Sequence, residues 1–218
     1  DILIGFAMVE PEKKHKGISA FIVEADRPGF AVVREEKKMG IRASDTAEIV
    51  LKDVCVPLEN LVGNENEGFY QLMAFFNHTR LHICAQAVGL ARGALEASVE
   101  HVKGRRQFGR PLAEFQVTQF KIADMATKVE TERTMVYKSA WLLDQGKPDT
   151  KLTAMAKLYA CHVAVEVVDE ALQLHGGYGY FNDYDVERFY RAAKVLEIYE
   201  GTKEVEKIVI SREVLGKF

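Results

Sequence analysis

The sequence is poor in the features that would commit it to most metal, membrane or nucleic-acid chemistries. Cysteine is scarce: Cys55, Cys84 and Cys161 are odd in number, widely spaced and never in a CxxC pair. That argues against a disulfide framework or a structural zinc site and points to a reducing compartment. No apolar run nears the roughly 20 residues that cross a bilayer, so no membrane partner is expected. Neither sign of charge dominates: 29 Lys and Arg face 32 Asp and Glu, for a net charge of −3. Without a basic patch, nucleic acid is not an expected partner. A di-iron bundle needs Glu-x-x-His pairs on facing helices, yet Phe75, Thr79, Ser98, Tyr159 and Leu172 stand three residues before His78, His82, His101, His162 and His175. No metal site is predicted.

What is present divides into two halves of different period. The 218 residues are 48% hydrophobic and 28% charged, enough for one large or two modest domains with a buried core. Residues 1–62 carry "DILIGFAMV", "GISAFIVEA", "GFAVVRE" and "AEIVLKDVCVP". These short Val/Ile/Phe-rich runs are separated by turn signals, with the "KKHK" stretch expected at a solvated hairpin tip. The first run reads as a strand entered midway, and the chain as a piece of a longer protein. From about Glu67 the period becomes helical. Ile83, Ala87, Leu90 and Ala94 stripe one helix, beside a row of Ala85, Gly89, Gly93 and Ala97 expected to admit a neighbouring backbone. Ile122, Met125, Val129, Val136, Ala140 and Leu143 stripe a second helix. Met155, Leu158, His162, Val165 and Leu172 stripe a third, entered through Asp149 or Thr150 as N-cap. A fourth helix breaks at Glu200. The predicted fold is α+β: a partial antiparallel β-domain (1–62) followed by an antiparallel four-helix bundle (63–218).

Three stretches exceed what packing requires. "GRRQFGRP" sets three arginines around Phe108 where one helix ends and the next begins. Arginine forks with free N–H groups at a helix start suit a phosphate or pyrophosphate, although a solvated loop uses the same residues. "QLHGGYGY" places three glycines after a helix; a C-cap accounts for one, and the others let a ligand approach the backbone. In "EIYEGTKEVEK", Glu200 occupies a glycine elbow just ahead of a helix. Cys84 and Cys161 fall within helical patterns and read as packing residues.

Taken in order, "MGIRASDT", "VPLENLVGNENEGF", "NHTR", "RRQFGRPLAEFQ", "QLHGGYGY" and "IYEGTKE" resemble the acyl-CoA dehydrogenase family over Met39 to Glu204. The resemblance implies a flavoprotein that desaturates acyl-CoA thioesters, with Glu200 as the base that removes the α-proton and FAD as the β-hydride acceptor. Some relatives carry that base near the "NHTR" position, where Asn77, His78, Thr79 and Arg80 offer no carboxylate. It further implies substrate contacts from Asn77, Thr79, Arg80, Gly201 and Arg212. Flavin contacts are implied for Arg105, Gln107, Phe108, Gln116, Gln173, Leu174, His175, Gly176, Gly177, Thr202 and Glu204. Those from Arg105 to Gly177 reach the flavin of a neighbouring subunit, so a homo-oligomer, a dimer of dimers, is expected. Two positions depart from the family pattern: Asn77 and Ala192 stand where relatives commonly have an acid.

The implied partners are an acyl-CoA and an electron-transferring flavoprotein, in the cytoplasm or, in a eukaryote, the mitochondrial matrix. An oxidase that returns electrons to oxygen is the near alternative. A non-catalytic helical scaffold is the distant one, and the 218 residues alone are expected to hold FAD weakly and to be inactive.

Overall fold

The computed structural model describes residues 1–216. The chain forms two compact units, Asp1–Phe76 and Asn77–Phe218, and the fold is α+β.

In the first unit, strand β1 (Ile2–Met8) pairs antiparallel with β2 (Ile18–Glu24), Ile2 opposite Glu24 and Met8 opposite Ile18. The "KKHK" run lies in the 3-10 segment Pro11–Gly17 that joins them. Strand β3 (Phe30–Glu35) pairs antiparallel with β4 (Ala47–Leu51) across a bulge between Val32 and Arg34. β2 is the inner strand, burying Ser19, Ala20 and Val23. Ser19 Oγ accepts the Asn66 N–H at 2.8 Å, and Gly68 approaches so closely that a Cβ there would lie 2.7 Å from the Ser19 carbonyl carbon. These contacts fix the start of helix α1 (Gly68–Gly104). Ile2, Ile4, Phe6 and Met8 on β1, with Val32, Ile49 and Val50 on the second pair, stay exposed.

The second unit takes in α1 from Asn77 onward and two short strands, β5 (Arg106–Gln107) and β6 (Arg110–Pro111). Helices α2 (Gln116–Asp144), α3 (Thr150–His175), α4 (Asp185–Leu196) and α5 (Lys203–Leu215) follow. Together they make the four-helix bundle, its fourth member broken between α4 and α5. α3 packs against α2, α4 and α5. Its buried face is made mostly of small residues, Ala156, Ala160, Val163, Ala164, Val167 and Ala171, which let helix axes approach closely. α1 adds Cys84, Ala87, Ala91 and Ala94 to this core, and α2 adds Met125, Val129 and Val136. Asp149 caps α3, accepting the Leu152 N–H at 2.8 Å.

Two expectations about faces are corrected. The stripe drawn through His162 is not the inner face of α3. His162 is exposed, 3.3 Å from Glu166 and 3.4 Å from Glu197, because a central helix buries a wide face that a single stripe does not trace. Among the described residues no second backbone approaches the glycine row on α1: none of them lies within 4 Å of a Cβ at Gly89, and at Gly93 the Phe189 ring comes near, at 3.6 Å.

Candidate active site

The break between α4 and α5 is a tight turn built on two left-handed residues. Glu200 has φ of 54° and Gly201 φ of 100°. The Lys203 N–H closes the loop on the Glu197 carbonyl at 3.2 Å, and Thr202 caps α5 by accepting the Val205 N–H at 3.4 Å. Glycine at 201 is required twice over, by that φ and because a Cβ would sit 2.4 Å from Glu206 Oε1. Glu200 is half-buried. Its Oε2 accepts a hydrogen bond from Thr79 Oγ1 at 2.5 Å, so α1 fixes the carboxylate that the turn projects.

Charged groups lie beneath the turn. Arg80 and Glu206 are 11% and 0% exposed, with Nε 3.1 Å from Oε1 but off the hydrogen-bond axis, so charge rather than a linear bond joins them. Burial raises the Glu206 carboxyl, and Arg80 and then Lys157 oppose that rise. Arg80 also donates to Asn77 Oδ1 at 3.2 Å. Lys157, 1% exposed on α3, donates through Nζ to the Tyr199 carbonyl at 3.0 Å and to the Gly201 carbonyl. Sequence reasoning missed Lys157 and Glu206. Within "AKLYA" and "EVEKIV" they carry no signal that separates them from solvated helix residues. Arg212 is exposed on α5. Burial pushes the Cys161 thiol up to about 12 and raises Cys84 as well, which suits packing residues and not nucleophiles.

A second region gathers most of the residues assigned to the cofactor by resemblance. β5 and β6 form a two-residue hairpin whose corner residues, Phe108 and Gly109, have φ of 50° and 80°, the twist that short hairpins favour. Phe108 is 93% exposed at its tip. Beside it, Arg105, Gln107, Leu174, His175, Gly176 and Gly177 line a recess of about 350 Å³. A Cβ at Gly176 or Gly177 would meet nothing within 4 Å, whereas one at Gly179 would strike His175 and Leu172. The first two glycines therefore leave open space and the third is a packing glycine. His101 and His175 stack with ring centres 4.2 Å apart. Burial lowers His101, reinforced by His175 and Arg105. Arg105 also lies over the Tyr178 ring at 5.0 Å. Gln116, at the start of α2, and Gln173 are exposed and do not line this recess; nor does Glu200. Thr202 and Glu204 belong to the Glu200 turn, where a backbone N–H and the Thr202 hydroxyl lower the Glu204 carboxyl.

The donor set of the recess suits a flavin nucleotide: a guanidinium and an amide for phosphate oxygens, and bare glycine backbone open to a flat group. Among the described residues, no group of three or more His, Cys, Asp and Glu is placed to hold a metal ion. No helix of the described residues is long and apolar enough to cross a membrane.

Residues 66–215 match the family model for the acyl-CoA dehydrogenase C-terminal domain. The acryloyl-CoA reductase (NADH) of Anaerotignum propionicum is 50% identical over 216 residues, which are 99% of this chain and 55% of that protein. The solved butyryl-CoA dehydrogenase of Megasphaera elsdenii superposes with a TM-score of 0.96 at 46% identity, over 99% of this chain and 56% of that one. A chain of a solved structure described as the electron transferring flavoprotein of Acidaminococcus fermentans matches with a TM-score of 0.97 at 48% identity, over 100% of this chain and 57% of that one. The chain thus spans little more than half the length of the relatives it matches. With its bundle matched from end to end by that family's C-terminal domain, the chain belongs to the acyl-CoA dehydrogenase family.

Proposed function

We propose that the protein carrying this chain is an FAD-dependent acyl-CoA dehydrogenase in which Glu200 removes the α-proton of the bound thioester. The observation that carries this reading is the half-buried Glu200 carboxylate, set on a strained turn and held by the Thr79 hydroxyl. An α-proton of a thioester is weakly acidic, so its removal needs a base fixed within hydrogen-bond reach and donors for the developing enolate oxygen. Glu200 supplies the base, and the turn holds it at one place on the backbone. Gly201 keeps the chain slim where the thioester passes, and the N–H groups around it can donate to the thioester oxygen. Asn77, Thr79, Arg80 and Arg212 are the proposed contacts to the rest of the acyl-CoA.

The flavin, when bound, supplies the two-electron acceptor. Thr202 and Glu204 would flank it beside the base. Arg105, Gln107, Phe108, Gln116 and the Gln173–Gly177 segment would hold the flavin of a second copy, which makes a homo-oligomer part of the proposal. A relative 43% identical over 217 residues is named as a subunit of the caffeyl-CoA reductase-Etf complex of Acetobacterium woodii, which supports an electron-transferring flavoprotein as the electron acceptor. The test mixes the full-length flavoprotein anaerobically with a panel of saturated acyl-CoAs. Bleaching of the flavin absorbance, followed by fast reoxidation with electron-transferring flavoprotein and slow reoxidation in air, is the expected result. No bleaching with any acyl-CoA overturns the activity, and fast peroxide formation in air moves the reading to an oxidase.

A further inference from the structure

We infer that Lys157 is a positioning residue for Glu200, its buried Nζ fixing the backbone on both sides of that one side chain. The inference rests on the reading of Glu200 as the base. Lys157 is 1% exposed on the central helix, and its side chain is the largest of the fully buried ones. An apolar side chain of similar volume is often at least as stable at such a position, so stability alone gives little reason for a lysine there. The two groups it grips are informative. Nζ donates to the carbonyls of Tyr199 and Gly201, the residues immediately before and after Glu200. Glu200 itself holds a left-handed φ of 54°, a conformation that a non-glycine residue keeps only where its surroundings over-determine it.

The turn is constrained from three sides. Thr79 Oγ1 on α1 orients the carboxylate. The Glu206 carboxylate on α5 lies 2.4 Å from where a Cβ at Gly201 would sit. Lys157 on α3 is the side-chain constraint that acts on the backbone itself, and it takes no part in the proton transfer. Small displacements of a base from its reacting proton carry large rate penalties. A clamp on the peptide units flanking Glu200 therefore governs rate more than affinity.

The test compares Lys157→Met and Lys157→Gln with wild type in the full-length, flavin-loaded protein. Three readings are taken: exchange of the thioester α-proton into D2O, dissociation constant for a non-reacting acyl-CoA analogue, and amide hydrogen exchange of the 197–202 segment. Lys157→Met is expected to slow α-proton exchange and kcat at least tenfold per folded, flavin-loaded enzyme. The analogue's dissociation constant should stay within twofold, and amide exchange of the turn should accelerate. Lys157→Gln, which keeps donors on a shorter arm, should fall between. A merely structural lysine would lower the melting temperature and leave these readings at wild-type values; that outcome overturns the inference. If Lys157→Met does not fold, the same readings are taken on Lys157→Gln. Glu200→Gln serves as a separate arm: persistence of exchange in that variant would sink the base assignment, while the amide-exchange reading still reports on the clamp.

Discussion

The two candidate regions of the bundle are built on opposite plans. The Glu200 turn is closed: two left-handed residues, buried Lys157, the Arg80–Glu206 pair and the Thr79 hydroxyl hold one carboxylate from three helices. The hairpin and glycine segment are open, with an almost fully exposed phenylalanine and two glycines facing empty space beside a shallow recess. The difference matches the two tasks proposed for these regions. A base has to be fixed before substrate arrives. A surface that holds a cofactor belonging to a second copy has to remain accessible until that copy docks. Substitutions in the turn should therefore disturb folding and chemistry together, and substitutions in the open region should disturb assembly or cofactor retention alone.

The sharpest way to break that contrast is Arg80→Met, which strands the Glu206 carboxylate in the interior. Removing one partner of a buried pair costs about 3–5 kcal/mol, to be read as a lowered denaturant midpoint at unchanged slope. A double variant with Glu206→Leu should recover most of the loss, since the orphaned charge is then gone. Next is a buried group outside both regions. Glu132 is 0% exposed, neither of its oxygens has a hydrogen-bond partner among the described residues, and burial pushes its carboxyl up to about 8. A folded chain that keeps a proton the unfolded chain has released is most stable below the ordinary carboxylate pKa. It then loses stability as the pH rises toward about 8. Glu132→Gln should flatten that decline, seen as a smaller drop in melting temperature between weakly acid and weakly alkaline buffers than wild type shows.

A smaller effect is expected for Gly201→Ala, which puts an L side chain at φ of 100° against the Glu206 carboxylate. It should cost roughly 1–3 kcal/mol, and activity should fall further than stability because the same turn carries the proposed base. The smallest effect on folding belongs to Phe108→Ser. A residue 93% exposed contributes little to the isolated fold, so stability should hold within about 0.5 kcal/mol. Flavin retention in the assembled protein, measured by equilibrium dialysis, should weaken several-fold. A melting temperature that falls as much for Phe108→Ser as for Gly201→Ala would erase the distinction between the regions.

Local signals in the sequence were sufficient for much of this. Four strands, the helices, the Asp149 cap and the elbow at Glu200–Gly201 are legible because they depend on neighbours in the chain: alternation, stripes, cap residues and glycine. What escaped depends on residues brought together by folding. Lys157 and Glu206 lie 49 positions apart in sequence and read separately as ordinary helix charges, yet both are buried beneath one turn. The spacing of His162 fits a helix face, and only the packing of α2, α4 and α5 around α3 shows which face is buried. For the glycines the local sequence was ambiguous. Gly176 and Gly177 lie against an open recess, Gly179 against His175 and Leu172, and Gly89 against none of the described residues.

The proposed chemistry requires Glu200 to act as the base. Exchange of the α-protons of a bound acyl-CoA into D2O, followed by NMR in full-length wild type and Glu200→Gln, tests this directly. Exchange should fall at least a thousandfold in the variant while flavin and thioester remain bound. Exchange persisting near the wild-type rate with flavin in place would contradict it.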